Sequence, residues 1–327
     1  MKQLLTIKPP KLHPGDTIGV VAPCLPILPS FREPYEQGKQ FLRDMGFTLK
    51  EGKTTTTTPH WYAAATPETQ AADINAMFAD PDVRTIISAV GGHSAITVLP
   101  HLDYDLIRSN PKPFIGMSDM TGYHLAIYAQ AGMVGFHMDE LIFGLGKGAD
   151  KYTQHPAFRQ AYTDVLMSDT PLGALPHVAT WESWRDGIAT GQLIGGNLKS
   201  MSLQMGTPYF PDPDSFDGAI VFWESVGQSK SAIMQMLYQL KYYGVFERIS
   251  GMLIGTVTDV PPASDVELVE PELRDIVMEV TKEYDFPIMA NLDFGHYTIN
   301  LPMPIGVKAS FDTSKLEFRL DEGTVRK

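Results

Sequence analysis

Short hydrophobic runs alternate with stretches of helical spacing along the first part of the chain. A continuous apolar run predicts a buried strand, and apolar residues at every third or fourth position predict an amphipathic helix. The predicted order is strand 16–23, helix 31–46, strand 47–50, a helix from residue 66, strand 83–90, helix 102–109, strand 114–116 and a helix ending before Gly132. This alternation predicts a parallel, Rossmann-like α/β sheet.

The pattern weakens from about residue 143 to residue 180 and then resumes with a different character. The glycines at 144–148 predict a flexible break, and one helix is predicted over 156–167. Beyond it we predict strand 218–224, helix 229–243, strand 249–255, helix 270–284 and a hairpin over 305–320 that turns at 312–315. We therefore predict an N-terminal domain over 1–145, an interdomain connection over 146–185 and a C-terminal domain over 186–327.

The composition limits the classes of binding partner and the cellular compartment that we expect. The chain has 327 residues and a net charge of −12, which disfavours nucleic acid or an anionic membrane as the main partner. One cysteine, Cys24, excludes an intramolecular disulfide and a cysteine-rich metal site, and it agrees with a reducing compartment. No apolar stretch is long enough for a membrane span or a signal peptide, so we expect a cytoplasmic protein.

Ser118 lies at the predicted junction between a strand and a helix, within Gly116-Met117-Ser118-Asp119. A sharp turn there would lift the serine hydroxyl out of the sheet, and it would aim backbone N–H groups and the positive helix end at the same point. That is the arrangement of a nucleophile elbow, although the second glycine of Gly-x-Ser-x-Gly is missing. Because serine and aspartate are also common at helix starts, a plain capping turn is the alternative.

A nucleophilic serine needs a base and a group that orients the base. Among nine histidines, His296 follows a short apolar run, and Gly295 allows the chain to turn sharply beside it. Glu224 ends another apolar run, where it is either an ordinary charge at a strand end or an orienting carboxylate. These residues alone leave the two readings of Glu224 open.

Glycine pairs at two other strand ends also have two readings. Gly91-Gly92 is either a tight turn or the source of an N–H for an oxyanion. The stretch Gly195-Gly196-Asn197 resembles a phosphate cradle, but it lacks the Lys-Ser/Thr of a P-loop, and no Gly-x-Gly-x-x-Gly is present. No histidine or carboxylate spacing is typical of a metal site, so we expect neither a metal nor a cofactor.

Taken together, these segments resemble the LD-carboxypeptidase family of serine peptidases. The matching segments span nearly the whole chain and occur in the family's order: Pro-Gly-Asp-Thr-Ile-Gly-Val-Val-Ala-Pro (14–23), Ala-Val-Gly-Gly (89–92), Leu-Asp-Tyr-Asp-Leu-Ile-Arg-Ser-Asn-Pro-Lys (102–112), Phe-Ile-Gly-Met-Ser-Asp (114–119), Leu-Ile-Gly-Gly-Asn-Leu (193–198), Glu224 and Phe-Gly-His (294–296). The sequences at 61–68 and 206–211 and the long connection are most similar to the microcin C self-immunity branch.

The resemblance implies a Ser-Glu-His triad, with Ser118 as nucleophile, His296 as general base and acid, and Glu224 as the residue that orients His296. It also implies an oxyanion hole made by the backbone N–H groups of Gly92 and Asp119. The nucleophile would lie in the N-terminal α/β domain, and a β-rich C-terminal domain would bring the other two residues. Enzymes of this family are similar in being cytoplasmic homodimers.

The chain departs from the family pattern at the expected mouth of the site. The loop after the third strand, Gly-Gly-His-Ser-Ala-Ile-Thr at 91–97, has no arginine, and Met138-Asp139 replaces a common Gly-Pro. Ser225 follows Glu224, where aspartate is frequent. We expect His93, Trp184 and Asn197 to contact the substrate, although a tryptophan is at least as often a packing residue.

The expected activity is metal-free hydrolysis of a peptide or amide bond in a small substrate. The substrate would be a muropeptide tail or an aminoacyl-nucleotide-like conjugate. A ligand-binding protein that kept the fold and lost the activity is the alternative from another functional class. An ordinary α/β-hydrolase esterase fits the chain order Ser, Glu, His, but it does not fit a glutamate and histidine in a second domain.

Overall fold

The computed structural model describes residues 6–262, 269–297 and 299–327. Its first sheet has six strands in the order β12-β5-β4-β3-β1-β2. The strands are β1 (Thr17–Val21), β2 (Thr48–Glu51), β3 (Val83–Ser88), β4 (Phe114–Gly116), β5 (Gly135–His137) and β12 (Met303–Ile305). Strands β1 to β4 run parallel, as predicted, and β5, which the sequence pattern did not predict, continues the parallel arrangement. Strand β12 pairs antiparallel with β5.

Helices connect the parallel strands of this sheet. They are α1 (Arg32–Asp44), α2 (Pro67–Ala79), α3 (Ala95–Val98), α4 (Tyr104–Ser109) and α5 (Met120–Ala131). Thr66 accepts a hydrogen bond from Thr69 N and so caps the start of α2, and Gly132 ends α5 in the left-handed conformation. The predicted helices and strands of this half are therefore confirmed, apart from shifts of a few residues at their ends.

The predicted flexible break at residues 144–148 is wrong. Leu141–Gly146 forms a π-helical segment, and α6 (Lys147–Gln154) and α7 (Pro156–Met167) follow it. The glycines serve close packing instead: a Cβ on Gly146 would lie 2.0 Å from Pro34 O, and one on Gly38 would lie 2.2 Å from Leu141 O. The glycine-rich composition predicted a mobile segment. Glycine is needed here because this segment approaches α1 too closely for a side chain.

The second sheet has eight strands in the order β6-β14-β13-β8-β9-β10-β11-β7. They are β6 (Gly173–Ala174), β7 (Glu182–Arg185), β8 (Ile188–Asn197), β9 (Ile220–Val226), β10 (Gly251–Thr258), β11 (Ile288–Ala290), β13 (Lys308–Asp312) and β14 (Glu317–Leu320). Strands β8 to β11 are parallel, and the remaining pairs are antiparallel. The predicted hairpin corresponds to β13 and β14.

Three helices accompany this sheet: α8 (Leu198–Gln204), α9 (Lys230–Tyr242) and α10 (Leu273–Val280). Helix α10 is shorter at both ends than the predicted helix. The domain limits drawn from the sequence stay a prediction, but two observations bear on them. Strands β6 and β7 lie inside the predicted connection, and β12 from the C-terminal part completes the first sheet.

One hydrophobic cluster extends across both sheets. It includes Ile115 and Phe136 of the first sheet and Ile194 and Phe222 of the second. Burial of this shared apolar surface stabilises the two sheets as neighbours. None of the helices in the described part of the chain has the length and apolar character needed to cross a bilayer.

Asp293 anchors the segment that leads into β7 and lies three residues before His296. Its buried carboxylate accepts hydrogen bonds from Val178 N, Ala179 N and the Trp181 indole N–H, which is 2.8 Å away. A carboxylate with two acceptor oxygens can satisfy three converging donors, whereas a side-chain amide presents only one acceptor.

We expect Asp293→Asn to lower the free energy of unfolding by about 1–3 kcal/mol, because the amide turns N–H groups toward donors. Urea denaturation monitored by tryptophan fluorescence measures this change. The surface variant Asp105→Asn serves as the control. Unchanged stability of Asp293→Asn would show that the three donors do not depend on this carboxylate.

Candidate active site

Ser118 stands at the turn between β4 and α5, half-buried, with a φ of 62°. A left-handed backbone at a non-glycine residue costs about 1 kcal/mol and persists only where the surroundings enforce it. The turn is held by a hydrogen bond from Thr121 N to Ser118 O at 3.0 Å. The local geometry is that of a strained strand-to-helix elbow, as the sequence predicts.

Gly91 lets the loop after β3 approach this elbow closely. A Cβ on Gly91 would lie 2.8 Å from Ser118 Cβ and 3.2 Å from Ser118 Oγ. The neighbouring Gly92 is equally confined, since a Cβ there would lie 2.8 Å from Cys24 Cβ. The glycine pair is therefore required by contact with the serine and with the loop after β1.

The backbone N–H groups of Gly92 and Asp119 are the predicted donors of an oxyanion hole. Within residues 6–262, 269–297 and 299–327, neither Gly92 N nor Asp119 N donates a hydrogen bond to another protein group. The Asp119 carboxylate instead accepts from Ala95 N at 2.9 Å, which ties the elbow to the loop that carries Gly92. These two backbone N–H groups therefore have no protein acceptor in the described part of the chain, which is compatible with the predicted oxyanion hole.

Glu224 and His296 form a buried hydrogen-bonded pair. Glu224 Oε2 lies 2.8 Å from His296 Nδ1, and the two side chains are 0% and 19% exposed. Burial alone would raise the pKa of Glu224, but the charge and hydrogen bond of His296 lower it below its usual value. Burial opposes a charge on His296, yet Glu224, with Glu140 and Asp139, raises the pKa of the imidazole.

Asn197 orients Glu224. Its Nδ2 donates to Glu224 Oε1 at 2.9 Å, and its Oδ1 accepts from Ser200 N at the start of α8. Its own backbone N donates to Thr121 Oγ1 on α5 at 2.8 Å. The expectation that Asn197 contacts substrate fits poorly with this geometry, because its side chain is buried and already engaged on both sides.

The serine and the histidine are carried by separate loops that a third residue connects. Asn300 Oδ1 accepts from Gly295 N at 2.7 Å, and its Nδ2 lies 3.4 Å from Met117 Sδ. In the described part of the chain no hydrogen bond joins Ser118 directly to His296. Such contacts are often long without substrate and tighten when it binds.

The other residues singled out from the sequence lie in varied surroundings. His93 is exposed in the loop beside Gly92, which is compatible with contact to a ligand. Trp184 is only 7% exposed and donates its indole N–H to Glu182, so packing explains it better than stacking on a substrate. Gly195 lies against Phe222 O, which a Cβ would meet at 1.8 Å, so strand packing rather than a phosphate explains it.

Two other histidines, His124 and His137, are buried and therefore favour the uncharged form. Desolvation lowers the pKa of His124 to about 3, and it lowers that of His137 to about 4. Both rings are buried within the first sheet and its helix α5. No group of three or more metal-ligating side chains occurs among the described residues.

Sequence reasoning missed three residues of this region: Thr121, Asn300 and the role of Asp139. Only Asp139 carried a signal, as a departure from the family's Gly-Pro. Thr121 and Asn300 lie within ordinary helix and loop sequence, and their partners are distant along the chain.

Two protein-family models match the chain. The model of the LD-carboxypeptidase N-terminal domain matches residues 18–138, and that of the LD-carboxypeptidase C-terminal domain matches residues 190–311. A probable murein peptide carboxypeptidase of Bacillus subtilis is 30% identical over 98% of both chains. The microcin C7 self-immunity protein MccF of Escherichia coli is 27% identical over 94% of both chains.

Solved structures show the same fold. MccF in complex with glutamyl sulfamoyl guanosine superposes with a TM-score of 0.86 at 25% identity, covering 98% of this chain and 99% of that one. MccF in complex with aspartyl sulfamoyl adenosine gives the same TM-score over 98% and 100% of the two chains. The predicted two-domain α/β fold class is confirmed.

We expect Gly91→Ala to slow any reaction of Ser118 by about 10²-fold, because the added methyl group displaces the serine by a fraction of an ångström to an ångström. The rate of covalent labelling by a fluorophosphonate measures this effect, and the thermal midpoint of unfolding reports on the fold. Labelling at the wild-type rate would show that the close approach has no bearing on Ser118.

We expect Glu224→Gln to lower the pKa of His296, because the amide no longer stabilises the imidazolium by charge. Histidine ring titration by ¹H–¹⁵N NMR measures the midpoint, with the surface variant Glu247→Gln as the control. An unchanged midpoint in Glu224→Gln would contradict the electrostatic account of the pair.

Proposed function

Because the chain belongs to the LD-carboxypeptidase family of peptidases, we propose that it hydrolyses an amide bond of a small substrate through a Ser118-Glu224-His296 triad. The observation that carries the proposal is the buried Glu224–His296 pair. This pair comes from the second sheet and its following loop, and Asn300 and Asn197 connect it to the strained elbow that holds Ser118.

In this mechanism Ser118 Oγ attacks the carbonyl carbon of the scissile bond while His296 Nε2 accepts the hydroxyl proton. Glu224 holds the Nδ1–H of His296 and stabilises the imidazolium that forms. The N–H groups of Gly92 and Asp119 bind the oxyanion of the tetrahedral intermediate. His296 then gives the proton to the leaving amine, and water, activated by the same histidine, releases the acyl group from Ser118.

The raised pKa of His296 gives this mechanism a definite pH dependence. A general base must be neutral to accept a proton, so kcat/KM should rise with pH through a midpoint above that of an ordinary histidine.

Two substrate classes follow from the relatives. One relative is described as a probable murein peptide carboxypeptidase, and the solved MccF structures hold aminoacyl sulfamoyl nucleosides. We propose that the substrate is either a muropeptide tail or an aminoacyl-nucleotide-like conjugate. The cytoplasmic location and the homodimer implied by the family resemblance stay predictions, and light scattering coupled to gel filtration tests the dimer.

We expect Ser118→Ala to reduce hydrolysis by at least about 10⁴-fold, because the reaction loses its nucleophile, with little change in stability. Both an L,D-tetrapeptide and an aminoacyl sulfamoyl adenosine should be offered as substrates, and the products should be followed by mass spectrometry. Ser231→Ala, on the exposed face of α9, is the matched control. Full activity of Ser118→Ala would remove Ser118 from the mechanism.

Labelling by a fluorophosphonate separates an enzyme from a protein that only binds its ligand. Only an activated Ser118 should react, and His296→Ala should prevent the reaction. A wild-type chain that binds either compound, hydrolyses neither and resists the probe would support the ligand-binding alternative.

A further inference from the structure

We propose that Asn300 and Asp139 are positioning residues that hold the Ser118 elbow and the His296 loop in register. Asn300 contacts the residue before Ser118 and the residue before His296, and Asp139 fixes the orientation of the Asn300 amide. The inference rests on the proposed roles of Ser118 and His296.

Every polar group of the Asn300 side chain is engaged. The side chain is 4% exposed, its Oδ1 accepts from Gly295 N, and its Nδ2 donates to Asp139 Oδ1 and faces Met117 Sδ. Because Gly295 N is a donor and Asp139 is an acceptor, the amide fits in only one orientation. An aspartate here would set two carboxylates against each other, and an apolar side chain would leave both partners unbonded.

The Asp139 side chain is itself held in place by hydrogen bonds. It is 2% exposed, and its Oδ2 accepts from the Tyr152 hydroxyl at 2.7 Å while Oδ1 accepts from Asn300. The Tyr162 hydroxyl donates to its backbone carbonyl at 3.2 Å. A buried carboxylate costs several kcal/mol in desolvation unless its hydrogen bonds are complete, so such a residue is a poor choice for stability alone.

The backbone around His296 adopts an unusual conformation. Gly295 has a φ of 124° and Tyr297 a φ of 62°, so residues of unusual backbone conformation flank the histidine on both sides. A Cβ on Gly295 would lie 2.3 Å from Thr256 Oγ1 and 3.1 Å from Glu224 Cβ, which shows how tightly this backbone approaches the second sheet. The Asn300 bond to Gly295 N fixes the loop on the side that faces the elbow.

A small displacement of this loop is sufficient to matter. A shift of about 1 Å between nucleophile and base commonly costs about 10²-fold in rate. Loss of the Asn300 amide removes the bond to Gly295 N and the contact with Met117 Sδ at once, so the elbow and the His296 loop lose a shared contact.

The test compares variants by their rate of labelling with a fluorophosphonate, which needs no knowledge of the natural substrate. In labelling, Ser118 Oγ bonds to phosphorus, fluoride leaves and His296 takes the serine proton. We expect Asn300→Ala and Asp139→Ala each to slow labelling by about 10-fold to 10²-fold. Asp139→Asn keeps an acceptor for Asn300, so its labelling rate should stay within about threefold of the wild type. The variant that carries both Asn300→Ala and Asp139→Ala should label no more slowly than the slower of the two single variants.

Tyr162→Phe is the matched control for Tyr152→Phe. Both rings are fully buried and pack against each other, but only Tyr152 donates to the carboxylate of Asp139. Tyr152→Phe should slow labelling more than Tyr162→Phe at equal loss of thermal stability. A folded Asn300→Ala variant that labels at the wild-type rate would overturn the inference. It would also be overturned if the labelling rates of all variants depended only on their thermal stability.

A second measurement separates this inference from the proposed function. The low-field NMR signal of the His296 Nδ1 proton reports the bond to Glu224 whether or not Ser118 reacts. Resistance of the wild type to the probe would contradict the triad, and the inference is then decided by this signal. Loss or shift of this signal in Asp139→Ala, with retention in Asp139→Asn, would support the positioning role. An unchanged signal in both variants would overturn it. If Asn300→Ala does not fold, the comparison of Asp139→Ala with Asp139→Asn decides the question.

Discussion

The hydrogen bond between Glu224 and His296 is the constraint on which the site depends. A carboxylate with no exposed surface is tolerated only when its oxygens are fully bonded. The second sheet meets this need through its register, because Asn197 and Glu224 are direct partners on the parallel strands β8 and β9. Asn197 therefore reaches one oxygen of Glu224 from the neighbouring strand, and His296 takes the other.

The same constraint extends into the first sheet. The Thr121 hydroxyl on α5, one turn from Ser118, accepts a hydrogen bond from the backbone of Asn197. A continuous series of hydrogen bonds thus leads from the helix behind the nucleophile through Asn197 and Glu224 to His296. Because α5 begins at the elbow, the position of the base is coupled to that of the serine through the shared interior of the two sheets.

Local sequence patterns were sufficient for most elements and for the sharp turn at Ser118, since a strand, a turn and a helix leave a signature within a few residues. They failed where distant packing decides. Glycines at 144–148 predicted a break, yet Gly146 is required by its contact with α1. Sequence patterns also did not predict that the Asn197 side chain is hydrogen-bonded within the protein or that Trp184 is buried. Asn300 meets partners 161 and 183 positions away, a separation that no spacing rule detects.

Asp139 lies where the family pattern commonly has the proline of a Gly-Pro pair. Proline restricts its own φ and so stiffens the backbone directly. Met138 and Asp139 supply no such restriction. The turn is instead fixed from outside, by the Tyr162 hydroxyl on its carbonyl and by Tyr152 and Asn300 on its carboxylate. The hydrogen bonds on the carboxylate also reach the His296 loop through Asn300. In this chain the turn and the His296 loop therefore share Tyr152, Asp139 and Asn300.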